Sequence, residues 1–168
     1  MQREICRNAI TGRIYKGGTD FRTAVFVNFV AMMISHETKI RVRYSETDRM
    51  DFVYYGAYAS YFEVARVEFL RDLGFTYKLM EDQGILLPVS DYAVRYHKPA
   101  RYDDLLLIRT SILELPGVRI RFKYEVFNES GQLLTEAETT LVFVDKASGR
   151  PRKAPEDLLR SFSSRLEN

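Results

Sequence analysis

Gly56-Ala57-Tyr58-Ala59-Ser60-Tyr61-Phe62-Glu63-Val64-Ala65-Arg66-Val67-Glu68-Phe69-Leu70-Arg71-Asp72-Leu73-Gly74 is a stretch in which Tyr58, Phe62, Ala65, Phe69 and Leu73 recur at spacings of three and four. That period belongs to an α-helix, and Gly74 stands where a left-handed C-terminal cap would close it. Glu63, Arg66, Arg71 and Asp72 give only partial polar relief, so most of the helix circumference is expected to be covered. Such a helix needs a wrapping layer, normally a sheet.

The flanking sequence supplies that sheet. Upstream, Thr38 to Tyr44 alternates, with Ile40, Val42 and Tyr44 on one side and Lys39, Arg41 and Arg43 on the other. This predicts a half-buried strand. Downstream, after a link from Thr76 to Gly84, strands are predicted over Leu86 to Tyr96, Asp104 to Leu113, Val118 to Val126 and Gln132 to Val144. The third of these is the clearest, since Val118, Ile120, Phe122, Tyr124 and Val126 alternate strictly with Arg119, Arg121, Lys123 and Glu125. Asn128-Glu129-Ser130-Gly131 is a hairpin signal, and Asp145 to Gly149 is a second turn. Short turns demand antiparallel neighbours, so the expected fold is α+β, one antiparallel sheet curled round one long helix. Exposed sheet edges then predict pairing across a twofold axis, as a homodimer or a homotetramer built as a dimer of dimers.

A chain of 168 residues with 46% hydrophobic content buries one core and is too short for two ordinary domains. We expect a main domain over 34–155, an N-terminal extension over 1–33 with Met33 as the natural start, and a C-terminal tail over 156–168 that forms a helix from Pro155 to Leu166. The apolar run Ala24 to Ile34 is too short for a membrane span, and Glu4 and Asp20 argue against a signal peptide. Cytoplasm is the expected location, and no membrane partner is expected. Of the net charge of +2, residues 1–32 contribute +3, leaving a nearly neutral main domain without the broad basic surface that nucleic acid requires. The single cysteine, Cys6, can form no intramolecular disulfide, and neither a His/Cys metal cluster nor a glycine-rich phosphate loop is present.

The chemistry concentrates in Tyr44-Ser45-Glu46-Thr47-Asp48-Arg49-Met50-Asp51-Phe52-Val53-Tyr54-Tyr55-Gly56, which crowds three carboxylates against the start of the helix. Unpaired amides and a partial positive potential at a helix N-terminus hold an oxygen that becomes negative during acyl transfer. Acids in this position equally serve as caps. The segment from Arg43 to Tyr58, with Tyr61-Phe62-Glu63-Val64-Ala65-Arg66, resembles the signature of hot-dog acyl-CoA thioesterases, in the 4-hydroxybenzoyl-CoA thioesterase and YbgC-like group. Tyr96-His97-Lys98-Pro99-Ala100-Arg101-Tyr102-Asp103-Asp104-Leu105, Glu136-Ala137-Glu138 and Val142-Phe143-Val144-Asp145 extend the resemblance over about Ile40 to Pro155.

The resemblance implies hydrolysis of an acyl-CoA, or acyl-carrier-protein, thioester to free acid and thiol, with Asp48 as nucleophile or as general base for water. It implies an oxyanion site from the backbone of Tyr55, Gly56 and Ala57. It implies no cofactor beyond the CoA of the substrate. Three positions depart from the family pattern: Asp51 stands where glycine is common, Tyr55 where the YbgC-like branch has histidine, and Ala57 where asparagine is usual. The Tyr55 phenol donates a hydrogen bond but is a poor base near neutral pH.

Further candidates for substrate binding are Tyr54, Tyr58 and Glu63, with His97, Lys98 and Arg119 for the phosphates of CoA. Each has a structural reading: core aromatics for the tyrosines, an i, i+3 pair with Arg66 for Glu63, and a solvated strand face for the cations. Asp103 and Asp104 are expected to shape the entry to a strand. Two other functions stay open, a non-catalytic acyl-thioester binding module and a hot-dog dehydratase. The second needs a histidine base, and neither His36 nor His97 lies on the helix or its entry loop.

Overall fold

A computed structural model describes residues 34–166, so the expected extension over 1–33, with Cys6, lies outside the described residues. Seven strands and three helices run β1 (Ile34–Arg41), α1 (Ala57–Asp72), α2 (Tyr77–Asp82), β2 (Ile85–Leu86), β3 (Val89–Tyr96), β4 (Leu105–Ile112), β5 (Arg119–Phe127), β6 (Leu133–Val142), β7 (Val144–Asp145) and α3 (Glu156–Leu166). Five form one antiparallel sheet in the order β1-β4-β5-β6-β3, and β2 pairs with β7. The expected α+β fold of one helix against one antiparallel sheet is what the chain adopts.

α1 is the predicted helix, and Gly74 at φ 87 ends it as a left-handed cap. Its buried face meets the sheet through aromatic pairs, with Phe62 4.6 Å from Tyr124 and Phe69 6.3 Å from Phe122. Arg66, expected to give polar relief, is instead buried, held by the Tyr77 hydroxyl at 3.2 Å and by Glu63 at 3.8 Å. A buried guanidinium persists where a hydrogen-bond acceptor and an opposite charge face it.

Three boundaries differ from the sequence reading. β1 begins at Ile34 and stops at Arg41, because Val42 exchanges backbone bonds with Asp103 and Asp104 and the chain then turns through a 3-10 turn at Tyr44–Glu46. The single strand predicted over Leu86 to Tyr96 is two strands: Pro88 lacks the N–H that a continuous ladder would need. The predicted link Thr76 to Gly84 contains α2, whose first turn is capped by the Thr76 hydroxyl accepting from Leu79 N at 3.1 Å. In the tail, α3 buries Leu158 and Phe162, and Arg165 pairs with Asp72 of α1. Asp104 accepts from Arg101 N at 2.7 Å and Asp103 takes φ 67, so both shape the turn into β4.

Candidate active site

Residues 46–54 form a small hairpin between β1 and α1. Tyr54 N donates to Glu46 O at 2.8 Å, Thr47 bridges Val53, and Asp48 N donates to Phe52 O at 2.9 Å. Asp51 closes the turn at φ 60, a left-handed conformation that glycine adopts freely and that aspartate tolerates better than most side chains. The departure from glycine therefore leaves the turn intact. The Asp48 carboxylate accepts from Met50 N at 2.8 Å through Oδ1.

The hairpin leans on the segment that follows β3. Val53 N donates to the carbonyl of Ala100, and the amides of His97 and Lys98 share the carbonyl of Leu134. Between the two segments lies a cavity of about 300 Å³ whose lining includes Asp48, Phe52, Tyr55, Tyr58, His97 and Lys98. Tyr96, Met50, Val53 and Pro99 complete its wall. Larger hollows exist, such as one of about 890 Å³ beside Arg150, Arg152 and Lys153, but that one lies by the β7 turn and α3, away from the start of α1.

Of the expected site residues, the structure brings Asp48, Tyr55, Tyr58, His97 and Lys98 to one cavity. Tyr54 stands just outside, its ring 4.5 Å from that of Tyr55, and the hydrogen bond between the two hydroxyls raises the Tyr54 phenol above its ordinary range. Gly56 permits this approach, since a Cβ there would come within 2.6 Å of the Tyr54 ring. At the entry to α1 the Ala57 amide already donates to Tyr54 O at 2.9 Å. The amides of Tyr55, Gly56 and Tyr58 have no acceptor among the described residues.

Two expected contributors are elsewhere. Glu63 points to solvent and pairs with Arg66 rather than lining the cavity. Arg119 opens β5 opposite Val142, whereas the cavity lies near Thr135, seven residues back along β6 and roughly 23 Å away at about 3.3 Å per residue. Tyr96 and Glu136 carry part of the resemblance but are not among the expected site residues. Tyr96 donates its hydroxyl to Tyr55 O at 3.2 Å, and Glu136 bonds His97 Nε2 at 2.8 Å. That bond, before all other influences, holds the Glu136 carboxyl below its usual range. The signal for Tyr96 was the period of two along Tyr92, Val94 and Tyr96, which puts all three on the inner face. His97 also places an imidazole in the cavity, although it is on neither the helix nor its entry loop.

Among the described residues no group of three His, Cys, Asp or Glu side chains comes together to hold a metal. No described helix is long and apolar enough to cross a membrane.

A long helix wrapped by a five-stranded antiparallel sheet, with a carboxylate hairpin at the helix N-terminus, is the arrangement of the hot-dog thioesterases. A family model described as the thioesterase-like superfamily matches residues 42–162, and the chain belongs to that superfamily. It is 38% identical over 113 residues to the putative acyl-CoA thioesterase YneP of Bacillus subtilis, covering 67% of this chain and 82% of the relative. It is 34% identical over 123 residues to the acyl-CoA thioester hydrolase YbgC of Escherichia coli O6:H1, covering 73% and 92%. A solved DHNA-CoA thioesterase from Staphylococcus aureus superposes with a TM-score of 0.73 at 37% identity, covering 77% of this chain and 89% of that one.

Proposed function

We propose that this protein is an acyl-CoA thioester hydrolase whose substrate carbonyl sits between Asp48 and the first turn of α1. The observation that carries the reading is the cavity itself, where one carboxylate shares a wall with Phe52, Tyr55, Tyr58 and Tyr96, beside backbone amides that have no acceptor among the described residues. Attack on the carbonyl carbon, by the Asp48 carboxylate or by a water that it deprotonates, moves negative charge onto the carbonyl oxygen. The Tyr55 and Gly56 amides, aided by the dipole of α1, stabilise that charge, and Tyr55, which lines the same cavity, carries a hydroxyl able to donate a further bond. Collapse expels the thiolate: with water as the nucleophile this leaves the free acid directly, and with Asp48 as the nucleophile it leaves a mixed anhydride that water then hydrolyses to the free acid and the Asp48 carboxylate. His97 and Lys98 supply positive charge at the rim for the phosphates of the carrier, and the similarity to YneP, YbgC and the staphylococcal enzyme supports CoA as that carrier.

The active form in this reading is a twofold dimer. β3 is an edge strand with seven of its eight residues exposed, and its Tyr92 and Tyr96 are half-open on the inner face. Antiparallel pairing of two β3 edges would join the two sheets into one and satisfy the open backbone groups of both edges. A monomer in sedimentation at micromolar concentration would contradict this.

The decisive experiment is thiol release from a panel of short, long and aromatic acyl-CoA esters and an acyl-carrier-protein thioester, for wild type and Asp48→Asn. Turnover that falls by at least about 100-fold in a folded variant supports the reading and excludes an idle binding module. Binding without turnover in the wild type, or full activity in Asp48→Asn, overturns it.

A further inference from the structure

The hairpin that carries Asp48 is tied to α1 by one side chain. Glu46 Oε2 accepts from the hydroxyl of Tyr61 at 2.7 Å and from the backbone N of Arg43 at 2.7 Å, while Arg43 Nη1 lies 3.5 Å from Oε1. Tyr61 is in the second turn of α1 and only 2% exposed, and the Glu46 side chain is 17% exposed. The backbone carbonyl of the same Glu46 accepts from Tyr54 N, which closes the base of the hairpin. One residue therefore joins three parts: the turn after β1 through Arg43, the hairpin base through Tyr54, and the helix through Tyr61. Burial, and next to it the Glu46 carboxylate, raise the Tyr61 phenol well above its ordinary value, so it stays a donor at any working pH.

We propose that Glu46 and Tyr61 are positioning residues, a clamp that sets the distance between the Asp48 carboxylate two residues along the hairpin and the amides at the start of α1. The inference rests on the assignment of Asp48 above. Asp48 and the amides lie on different elements; the other ties of the hairpin, Val53 N on the Ala100 carbonyl, the Ala57 amide on Tyr54 O and Arg101 over the Phe52 ring, all fall on its second strand, whereas Glu46 holds the strand that leads into Asp48. A shift of about 1 Å in such a group costs on the order of 100-fold in rate. The role is distinct from catalysis, since neither Glu46 nor Tyr61 lines the cavity.

The test is a double-mutant cycle of Tyr61→Phe and Asp48→Asn, with single-turnover hydrolysis of the best acyl-CoA ester, KM and thermal unfolding measured throughout. Tyr61→Phe is expected to lower kcat about 10- to 100-fold with KM within about 3-fold, and to cause less than about a further 3-fold loss in the Asp48→Asn background. Glu46→Gln keeps an acceptor for both donors and is expected to retain most activity, whereas Glu46→Ala matches Tyr61→Phe. Equal losses from Tyr61→Phe in both backgrounds mean general loosening of the fold and overturn the clamp, as does wild-type kcat in Tyr61→Phe and Glu46→Ala. If Asp48→Asn is itself fully active, the assignment of Asp48 fails and takes the clamp with it; a dead Asp48→Asn beside an active Tyr61→Phe refutes the clamp alone.

Discussion

β5 and β3 flank the same strand, and Thr139 of β6 has Phe122 opposite it on one side and Tyr92 on the other. Both side chains lie on the inner face of the sheet, yet Phe122 is 1% exposed and Tyr92 is 42% exposed. Along β5 buried residues alternate with open ones, whereas along β3 every residue but Val94 is exposed. Strand character is therefore not what decides burial. α1 lies over the middle of the sheet, so Phe122 and Tyr124 are sealed beneath Phe69 and Phe62, while Tyr92 reaches only the flank of Phe62 at 6.2 Å. The uncovered edge is also what leaves Tyr96 free to form a wall of the Asp48 cavity. One strand holds the fold together, and the other is left uncovered by the described residues.

The largest expected effect tests that contrast directly. Phe122→Ala should cost about 3–5 kcal/mol of stability, as a large aromatic removed from a sealed core, and Tyr92→Ala less than about 2 kcal/mol, both read from urea unfolding. A cost at Tyr92 equal to that at Phe122 would show that β3 is covered in solution and would support the twofold pairing.

A second contrast lies in the alkaline limb of stability. Burial pushes both phenols up to about 12, Tyr124 in the core and Tyr92 at the edge. A phenol in the unfolded chain ionises near 10, so below that pH the contribution is complete, and it is lost between about pH 10 and 12 while the folded phenol stays neutral. For Tyr124 the loss amounts to at most about 3 kcal/mol, and Tyr124→Phe should flatten the fall in stability over that range. At Tyr92 solvent screens the effect, so Tyr92→Phe should change the limb little. Equal flattening by both variants would break the comparison.

The smallest effect concerns the cavity wall. Tyr96→Phe removes the hydroxyl that donates to Tyr55 O, an exposed bond worth about 1 kcal/mol, so kcat/KM should fall by less than about 10-fold with stability almost unchanged. A loss as large as that of Asp48→Asn would give Tyr96 a direct part in the chemistry.

Much of the site was legible because its residues are close in sequence. Asp48, Tyr55 and Gly56 lie on one run that enters a helix, and the resemblance pointed to that run. His97 and Lys98 were legible as charges, but their place opposite Asp48 depends on Leu134 and Ala100, which no local pattern connects to residues 46–54. Glu63 and Arg119 were misplaced for a related reason: a helical position near a motif, or a cation at the start of a strand, does not reveal which way or at which end of the sheet it faces.

The amino-acid sequence by itself determined the helix over 57–72, the alternation of β5 and the antiparallel class of the sheet, because these follow from side-chain period and turn chemistry within a few residues. Only the tertiary structure decided that β3 is an edge beside β6 and that Arg66 is buried. The clamp of Glu46 on Tyr61 was likewise decided there. These depend on which distant segments share a layer, and that is settled when the whole core closes around α1.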